Sequence, residues 1–279
     1  MTITIRHRTA YRFAAPVFLE PHLVRLRPRS DGAVRLLDFA LEIEPPPAVR
    51  ADNLDLDGNV VTHAWFEGLT TELQLCTSAR VETLRADPFR FLLAESERSL
   101  PYACAPDRAA GLQQYRVAPD AAHPEVRALA LAATRDAERD QVLFPLELAR
   151  RLHRECTVQA RPDGPPQPPE TTLATRRGAC RDLAVLFVAG CRAVGLAARF
   201  ASGYAARAGG AGDELHAWGE VYLSGGGWRG YDPSLGLAVA DRHVAVAAAA
   251  RPRDAAPVTG SFRGDAAARL EVDVDVRAC

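Results

Sequence analysis

Three residue types that can together perform covalent catalysis occur in order between Arg177 and Asp232. Cys180 supplies a thiol, His216 an imidazole and Asp232 a carboxylate. A thiolate attacks carbonyl carbon, an imidazole can take the thiol proton, and an acid can fix the tautomer and orientation of that imidazole. We therefore take these three residues as a candidate catalytic set, with Cys180 as nucleophile, His216 as base and Asp232 as orienting residue.

The residues around Cys180 predict a helix that begins at the thiol. Gly178-Ala179 allows a tight turn, and the following apolar residues share one helix face: Leu183, Phe187, Cys191 and Val194. The positive end of the helix dipole favours a thiolate, and first-turn amides can stabilise an oxyanion. The alternative, a small buried hydrophobic residue, is our interpretation of Cys191 and Cys156. Asp182 is interpreted as a stabiliser of the helix start.

His216 begins an alternating segment that predicts a β-strand. His216, Trp218, Glu220 and Tyr222 share one parity, and small or aliphatic residues occupy the other. A triple-glycine turn follows, so a facing strand should bring Asp232 close to His216. A hydrogen-bonded structural histidine is an equally good interpretation of His216 from these residues alone. Asp232 could equally end its strand in an Asp-Pro turn, and that role is compatible with orienting an imidazole.

The elements that must position these residues fall into two parts. The first eighty residues predict β-strands, with period-two alternation near Ile3 and Phe39 and a hairpin turn at residues 57–59. We favour the turn over a role for Asp57 and Asn59 in the catalytic cleft. Cys76 falls on the polar parity of its strand, which predicts a surface or edge thiol without special reactivity.

Helices are predicted after a less regular segment. One begins at Pro124 and another runs from near Pro145 to Cys156, while the proline-rich residues 162–169 predict a loop that leads to Cys180. The chain after Asp232 has weak periodicity until residues 270–276 alternate as a terminal strand. We predict a β-rich domain over residues 1–100 and an α+β catalytic domain over residues 101–279.

Composition excludes several classes of function. The net charge is −1, which gives no electrostatic basis for binding nucleic acid or an anionic membrane. All 34 basic residues are arginine, so the chain has no side-chain amine. The six cysteines lack CxxC or zinc-like spacing, which predicts no metal site and favours reduced thiols in the cytoplasm. We see no signal peptide or transmembrane run.

Several motifs resemble the bacterial transglutaminase-like superfamily of papain-like cysteine enzymes. GACRDLA resembles its nucleophile motif, LHAWGEVYL its histidine motif and GWRGYDPS its aspartate motif. AYRFAAPV, RLRPR and DLDGN resemble the β-rich N-terminal region of bacterial members, and PVTGSFRG their usual ending. The resemblance implies an α+β core beside a β-sandwich-like domain. It also implies that Cys180 is the nucleophile, His216 the general base and acid, and Asp232 the orienting residue.

The implied activity is acyl transfer from a peptide or glutamine carboxamide through a thioester on Cys180. Water as acceptor gives a peptidase or amidase, and an amine gives a transglutaminase. We slightly favour hydrolysis, because amine selection needs a dedicated pocket. A peptide-binding module without catalysis and a metalloprotein are the alternatives from other classes. We expect a protein or peptide substrate and no cofactor, and the calcium dependence of animal transglutaminases does not carry over, since no acidic calcium loop is present.

Overall fold

A computed structural model describes residues 1–93, 98–100, 106–117, 123–161, 164–206 and 215–278. Strands come first, five helices and short strands follow, and the chain ends in strands. The N-terminal strands are β1 Thr2–Leu19, β2 His22–Val24, β3 Val34–Glu44, β4 Val49–Leu54, β5 Val60–Trp65 and β6 Thr70–Thr83. The helices are α1 Pro106–Arg116, α2 Pro124–Asp136, α3 Leu143–Glu155, α4 Pro169–Thr175 and α5 Cys180–Ala193. Within the described ranges, no helix is both long and apolar enough to cross a membrane.

The remaining strands lie between and after the helices. They are β7 Thr157–Val158, β8 Arg177–Gly178, β9 Ala198–Ala205, β10 His216–Leu223, β11 Gly227–Asp232, β12 Leu237–Ala238, β13 His243–Ala249, β14 Val258–Thr259, β15 Phe262–Arg263 and β16 Ala268–Ala278. A short 3₁₀-helix covers Pro252–Ala255 between β13 and β14. These strands carry two of the three candidate residues, His216 and Asp232.

The N-terminal part is a β-sandwich. One sheet has the order β15-β1-β6-β3, with β16 also paired to β1, and the other has the order β14-β2-β5-β4. Alternation along β1 and β6 directs one side chain in two inward, and the inward residues of both sheets form one apolar cluster that includes Phe13, Leu26, Phe66 and Leu75. The predicted β-sandwich-like N-terminal region is confirmed.

In the second part of the chain, α5 packs between the other helices and a five-stranded sheet. The sheet order is β12-β11-β10-β9-β13, entirely antiparallel. Leu183, Leu186 and Phe187 of α5 are fully buried in a cluster that also holds residues of α2, α3 and β10. Each such side chain contributes roughly 1.5–3 kcal/mol relative to exposure, so α5 is anchored firmly along its length. The α+β core predicted from the sequence is confirmed.

Several predicted elements are confirmed, and others differ. The helices at Pro124 and Pro145, the hairpin at residues 57–59 and the strands at Phe39 and Leu75 are present. The helix α4 begins at Pro169, the last residue of the predicted loop, and the sequence analysis did not predict it. Residues 162–163 lie outside the described ranges. Cys76 is partly exposed, as predicted for a surface thiol, but β6 lies between β1 and β3, so the edge alternative was wrong.

The end of the chain returns to the N-terminal sheets. β16 pairs with β1 over Ile3 to Phe13, β15 pairs with the far end of β1, and β14 pairs with β2. The predicted terminal strand is present, although Leu270 and Val272 are exposed and only Val276 is buried. The boundary near residue 100 stays a prediction, and the sandwich includes strands from both ends of the chain.

His7 links the two parts and predicts sensitivity to acid. Its ring nitrogens hydrogen-bond to Tyr204 of β9 and to Thr9, both at 2.7 Å. Burial lowers the pKa of His7 to about 4, and the charge of Asp273 opposes this only in part. The unfolded chain therefore gains a proton here at a higher pH than the folded chain does. Keeping His7 neutral therefore costs no stability above about pH 6.5. As the pH falls towards 4, it lowers the free energy of unfolding by up to about 3 kcal/mol.

Substitution of His7 by glutamine should flatten this dependence. Glutamine can still hydrogen-bond but does not titrate, so the urea midpoint of His7→Gln should fall less between about pH 7 and about pH 4. His63→Gln, on the N-terminal strand β5, is the matched control and should follow the wild-type curve. Parallel curves for His7→Gln and the wild type would contradict the assignment.

Candidate active site

Cys180 is the first residue of α5, as predicted, and its turn is held by a buried carboxylate. Ala179 is the extended N-cap residue. Its N–H donates to Asp182 at 2.8 Å, and Asp182 also accepts from Gln167 N–H at 2.8 Å and from Arg161 at 2.6 Å. Burial raises the pKa of Asp182, but the hydrogen bonds from Arg161 and the two backbone amides outweigh it and leave the pKa below its usual value. Asp182 thus ties the incoming loop to the first turn of the helix.

Gly178 is required at this turn because neighbouring side chains approach its backbone closely. A Cβ on Gly178 would lie 2.8 Å from Cβ of Asp182 and 3.2 Å from Cδ1 of Leu183. The short strand that contains Gly178 pairs in parallel with β7, so its backbone cannot move outward without loss of that pairing. A side chain here would therefore displace the carboxylate that supports Cys180.

His216 and Asp232 meet in the buried end of the central sheet. Nε2 of His216 lies 2.6 Å from Oδ2 of Asp232, and their side chains are 5% and 0% exposed. The register of β10 and β11 pairs Gly219 with Tyr231, so Asp232 lies opposite Trp218 and diagonal to His216. The two strands face one another as predicted, and the contact is diagonal rather than direct.

Cys180 lies near His216, where its thiol is one of the groups that raise the pKa of the imidazole. Burial lowers the pKa of His216, but its hydrogen bond to Asp232, the nearby Cys180 thiol and the charges of both outweigh burial and raise the pKa to about 9. His216 therefore holds a proton at neutral pH. The geometry brings the predicted residues together, and their catalytic roles stay a prediction.

Asp232 is held by five donors. Ser234 N–H, Ser234 Oγ and Leu235 N–H donate to Oδ1 at 2.9, 2.6 and 3.1 Å, and two imidazoles approach Oδ2. Burial raises the pKa of Asp232, but hydrogen bonds from His216 and His243 outweigh it and hold the pKa well below its usual range. The carboxylate thus combines the two roles predicted for it, the Asp-Pro turn and the contact with His216.

The second imidazole belongs to His243, which the sequence analysis did not identify. Its Nε2 lies 3.0 Å from Oδ2 of Asp232, and its side chain is 4% exposed. The strand HVAVAAA is rich in alanine, a weak strand former, so nothing in its pattern indicated a strand or a contact with Asp232. Ligand atoms of His216, Asp232 and His243 lie within 4.8 Å of one another. The hydrogen bonds to Asp232 account for this grouping, and we infer no metal from it.

The other described cysteines differ from Cys180. Cys156 and Cys191 are buried, as predicted for small hydrophobic residues. Burial raises the pKa of the thiols of Cys76, Cys156 and Cys191, that of Cys191 well above the ordinary value. Cys180 is half-buried at the helix start. Cys104 and Cys279 lie outside the described residues.

The turn at residues 57–59 is confirmed, and Asn59 also joins the two parts of the molecule. Asn59 is fully buried. Its side-chain nitrogen donates to Ala248 O and its side-chain oxygen accepts from Ala248 N–H, each at 2.9 Å. Arg29 donates to the Asn59 oxygen at 2.8 Å, and Arg29 N–H donates to Ala245 O at 2.8 Å. The N-terminal part therefore braces β13, the strand that carries His243.

Substitution of Asn59 by alanine should destabilise the chain by about 2–4 kcal/mol, because two buried backbone groups of Ala248 lose their partners. The measurement is the urea unfolding free energy of the full chain. Asn53→Ala, an exposed residue of β4, is the control and should change stability little. Equal midpoints for the two variants would contradict the role of Asn59.

Comparison with known proteins agrees with this site. Residues 3–82 match the model of the bacterial transglutaminase-like N-terminal region, and residues 127–233 match that of the transglutaminase-like superfamily. The second match includes Cys180, His216 and Asp232. The chain belongs to the transglutaminase-like superfamily. Membership of this superfamily supports a cysteine-dependent enzyme.

Relatives of similar length match nearly the whole chain. An uncharacterised protein of Mycobacterium leprae is 27% identical, over 97% of this chain and 96% of its own length. An uncharacterised protein of Mycobacterium tuberculosis is 28% identical, over 98% of this chain and 91% of its own length. A crystal structure of a suspected cysteine protease from Cytophaga hutchinsonii has a TM-score of 0.69 and 19% identity, and it covers 100% of this chain and 91% of that protein. This last likeness shows a shared fold.

Proposed function

We propose that this chain is an acyl-transfer enzyme that acts on peptide or glutamine carboxamide groups through a thioester on Cys180, with water as the favoured acceptor. The observation that carries the proposal is the 2.6 Å contact between His216 and the buried carboxylate of Asp232, near the Cys180 thiol at the start of α5. Such a set of nucleophile, base and orienting acid is the arrangement that activates a weak nucleophile.

Acylation starts from the pair in which the thiol proton of Cys180 has passed to His216, whose raised pKa favours holding it. Nε2 of His216 is held by Asp232, which leaves Nδ1 as the nitrogen that receives this proton. The sulfur then attacks the carboxamide carbon, and backbone amides in the first turn of α5 are the candidate donors to the oxyanion, because N-terminal amides of a helix lack acceptors within it. The C–N bond breaks as His216 returns the proton to the leaving ammonia or amine.

Deacylation uses the same groups, with water in place of the leaving amine. His216 takes a proton from water, the hydroxyl oxygen attacks the thioester, and the C–S bond breaks to give a carboxylic acid and the Cys180 thiol. An amine in place of water would give a new amide. Hydrolysis is favoured here because water needs no acceptor pocket. The chain has no lysine, so an acceptor amine on a side chain would have to come from another molecule.

The test is incubation of the full chain with glutamine-containing peptides, with and without a primary amine. Mass spectrometry distinguishes peptide cleavage, deamidation and amine incorporation. Cleavage or deamidation that persists when the amine is present supports hydrolysis. Amine incorporation as the main product would replace hydrolysis by transfer, and equal product from a Cys180→Ala variant would overturn the thioester mechanism.

A further inference from the structure

Asp232 is shared between two imidazoles, of which the proposed mechanism uses only one. Nε2 of His216 lies 2.6 Å and Nε2 of His243 3.0 Å from the same oxygen, Oδ2 of Asp232. The ring centroids of the two histidines are 5.9 Å apart, and Trp218 contacts both rings. His243 thus touches the acid of the candidate site without touching Cys180 in the described contacts.

The contact between His243 and Asp232 depends on a strongly curved sheet. Their strands, β13 and β11, are three places apart in the strand order, or about 14 Å in a flat sheet, too far for the two side chains to meet. Gly203 on β9 lies between β10 and β13, where a side chain has no room. A Cβ there would lie 2.1 Å from Val244 O and 2.9 Å from Trp218 Cη2. The pairing of β13 with β9 also shifts register after Ala245, a bulge that increases twist.

The protonation of the two rings follows from Asp232. A carboxylate only accepts hydrogen bonds, so both Nε2 atoms must carry hydrogen. Nδ1 of His243 is buried and has no hydrogen-bond partner among the described residues. A hydrogen on Nδ1 would leave a buried N–H unpaired, which is costly, so Nε2 is the nitrogen of His243 that carries hydrogen.

We propose that His243 is a positioning residue that acts through Asp232: its Nε2–H holds Oδ2 in place and shares it with His216. This inference rests on the proposed function. Ser234 and Leu235 fix Oδ1, so His243 completes the set of contacts that prevents rotation of the carboxylate. Because one oxygen serves two donors, His243 also moderates the hold of Asp232 on the His216 proton.

Loss of the His243 donor should therefore change how His216 titrates. The titratable groups that bear on this pair come from four elements: Cys180 of α5, His216 of β10, Asp232 of β11 and His243 of β13. Without a second donor, the negative charge on Oδ2 acts on His216 alone. His216 should then keep its proton to a higher pH, while the carboxylate gains freedom to rotate.

The experiment measures alkylation of Cys180 by iodoacetamide as a function of pH, followed by peptide mass spectrometry. It needs no substrate. In His243→Leu the alkaline inflection should move up by about 0.5–1 pH unit. His243→Asn, whose amide is too short to reach Asp232, should show the same shift and serves if the leucine variant does not fold. His243→Gln restores a donor and should return the inflection towards the wild type.

Two controls distinguish a failure of the role proposed for His243 from a failure of the proposed function. His63→Gln should leave the profile unchanged, and His216→Asn should change it strongly. If His216→Asn alters the profile but the leucine and asparagine variants at His243 do not, the role of His243 is overturned and the proposed function stands. An equal shift in His243→Gln and His243→Leu would also overturn it, because the hydrogen bond would not be the cause. A wild-type profile in His216→Asn would overturn the Cys180–His216 pair, and the role of His243 with it.

Discussion

Replacement of Cys180 by alanine is expected to lower the rate of carboxamide hydrolysis by about 10⁴-fold or more, because no other group can form the thioester. The substitution removes a half-buried side chain at the first residue of α5, where Ala179 and Asp182 hold the turn through other atoms. The fold should therefore survive. The measurement is product formation from a glutamine peptide beside the urea unfolding midpoint.

Cys76→Ala is the matched control for Cys180→Ala, since Cys76 is also half-buried but lies in the N-terminal sheet. Its activity should equal that of the wild type. In the wild type, iodoacetamide near neutral pH should label Cys180 before the other five cysteines. Buried Cys156 and Cys191 should react slowly, because burial raises their pKa. Equal labelling of all six thiols would contradict an activated nucleophile.

Asp232→Asn should lower the rate by about 10³–10⁴-fold. Oδ1 accepts from Ser234 and Leu235, so the amide nitrogen of asparagine would take the place of Oδ2 and point a donor at His216. His216 would then present a bare Nε2 and carry its proton on Nδ1, the nitrogen that must receive the thiol proton. The wrong tautomer is the cause of the loss.

The charge of Asp232 adds a pH signature to this prediction. Burial lowers the pKa of His216, and the Asp232 carboxylate is the main group that opposes burial and raises the pKa to about 9. Without that charge the pKa falls, so the alkaline limb of the residual activity should move to lower pH. Asp265→Asn, an exposed residue of the C-terminal segment, is the control. More than a tenth of wild-type activity in Asp232→Asn, or an unmoved alkaline limb, would contradict the assigned role.

The parts of the site that the sequence predicted depend on local patterns. The helix at Cys180 has a turn before it and an apolar stripe along it, and the His216 strand and its partner are joined by a glycine turn. Each pattern spans few residues, so its cause lies within the segment. Ser234 illustrates the same point, since its hydroxyl donates a hydrogen bond to Asp232 within the turn.

The parts that sequence analysis missed lack such patterns. The seven-residue helix α4 follows a run of prolines that indicates a loop, and β13 is dominated by alanine, whose small side chain marks neither a strand nor a face. The edge alternative for Cys76 was wrong because alternation reports only which face of a strand a residue is on. Whether that strand lies at an edge or at the centre of a sheet depends on pairing with distant segments.

The sequence by itself determined the nucleophile helix, the hairpin that joins His216 to Asp232 and the family motifs that surround them, since neighbours along the chain produce each of these. Only the tertiary structure decided that His243 meets Asp232 and that Asn59 bonds Ala248, at a sequence separation of 189 residues. These contacts depend on the curvature of one sheet and its packing against another, which long-range burial imposes and which no local pattern records.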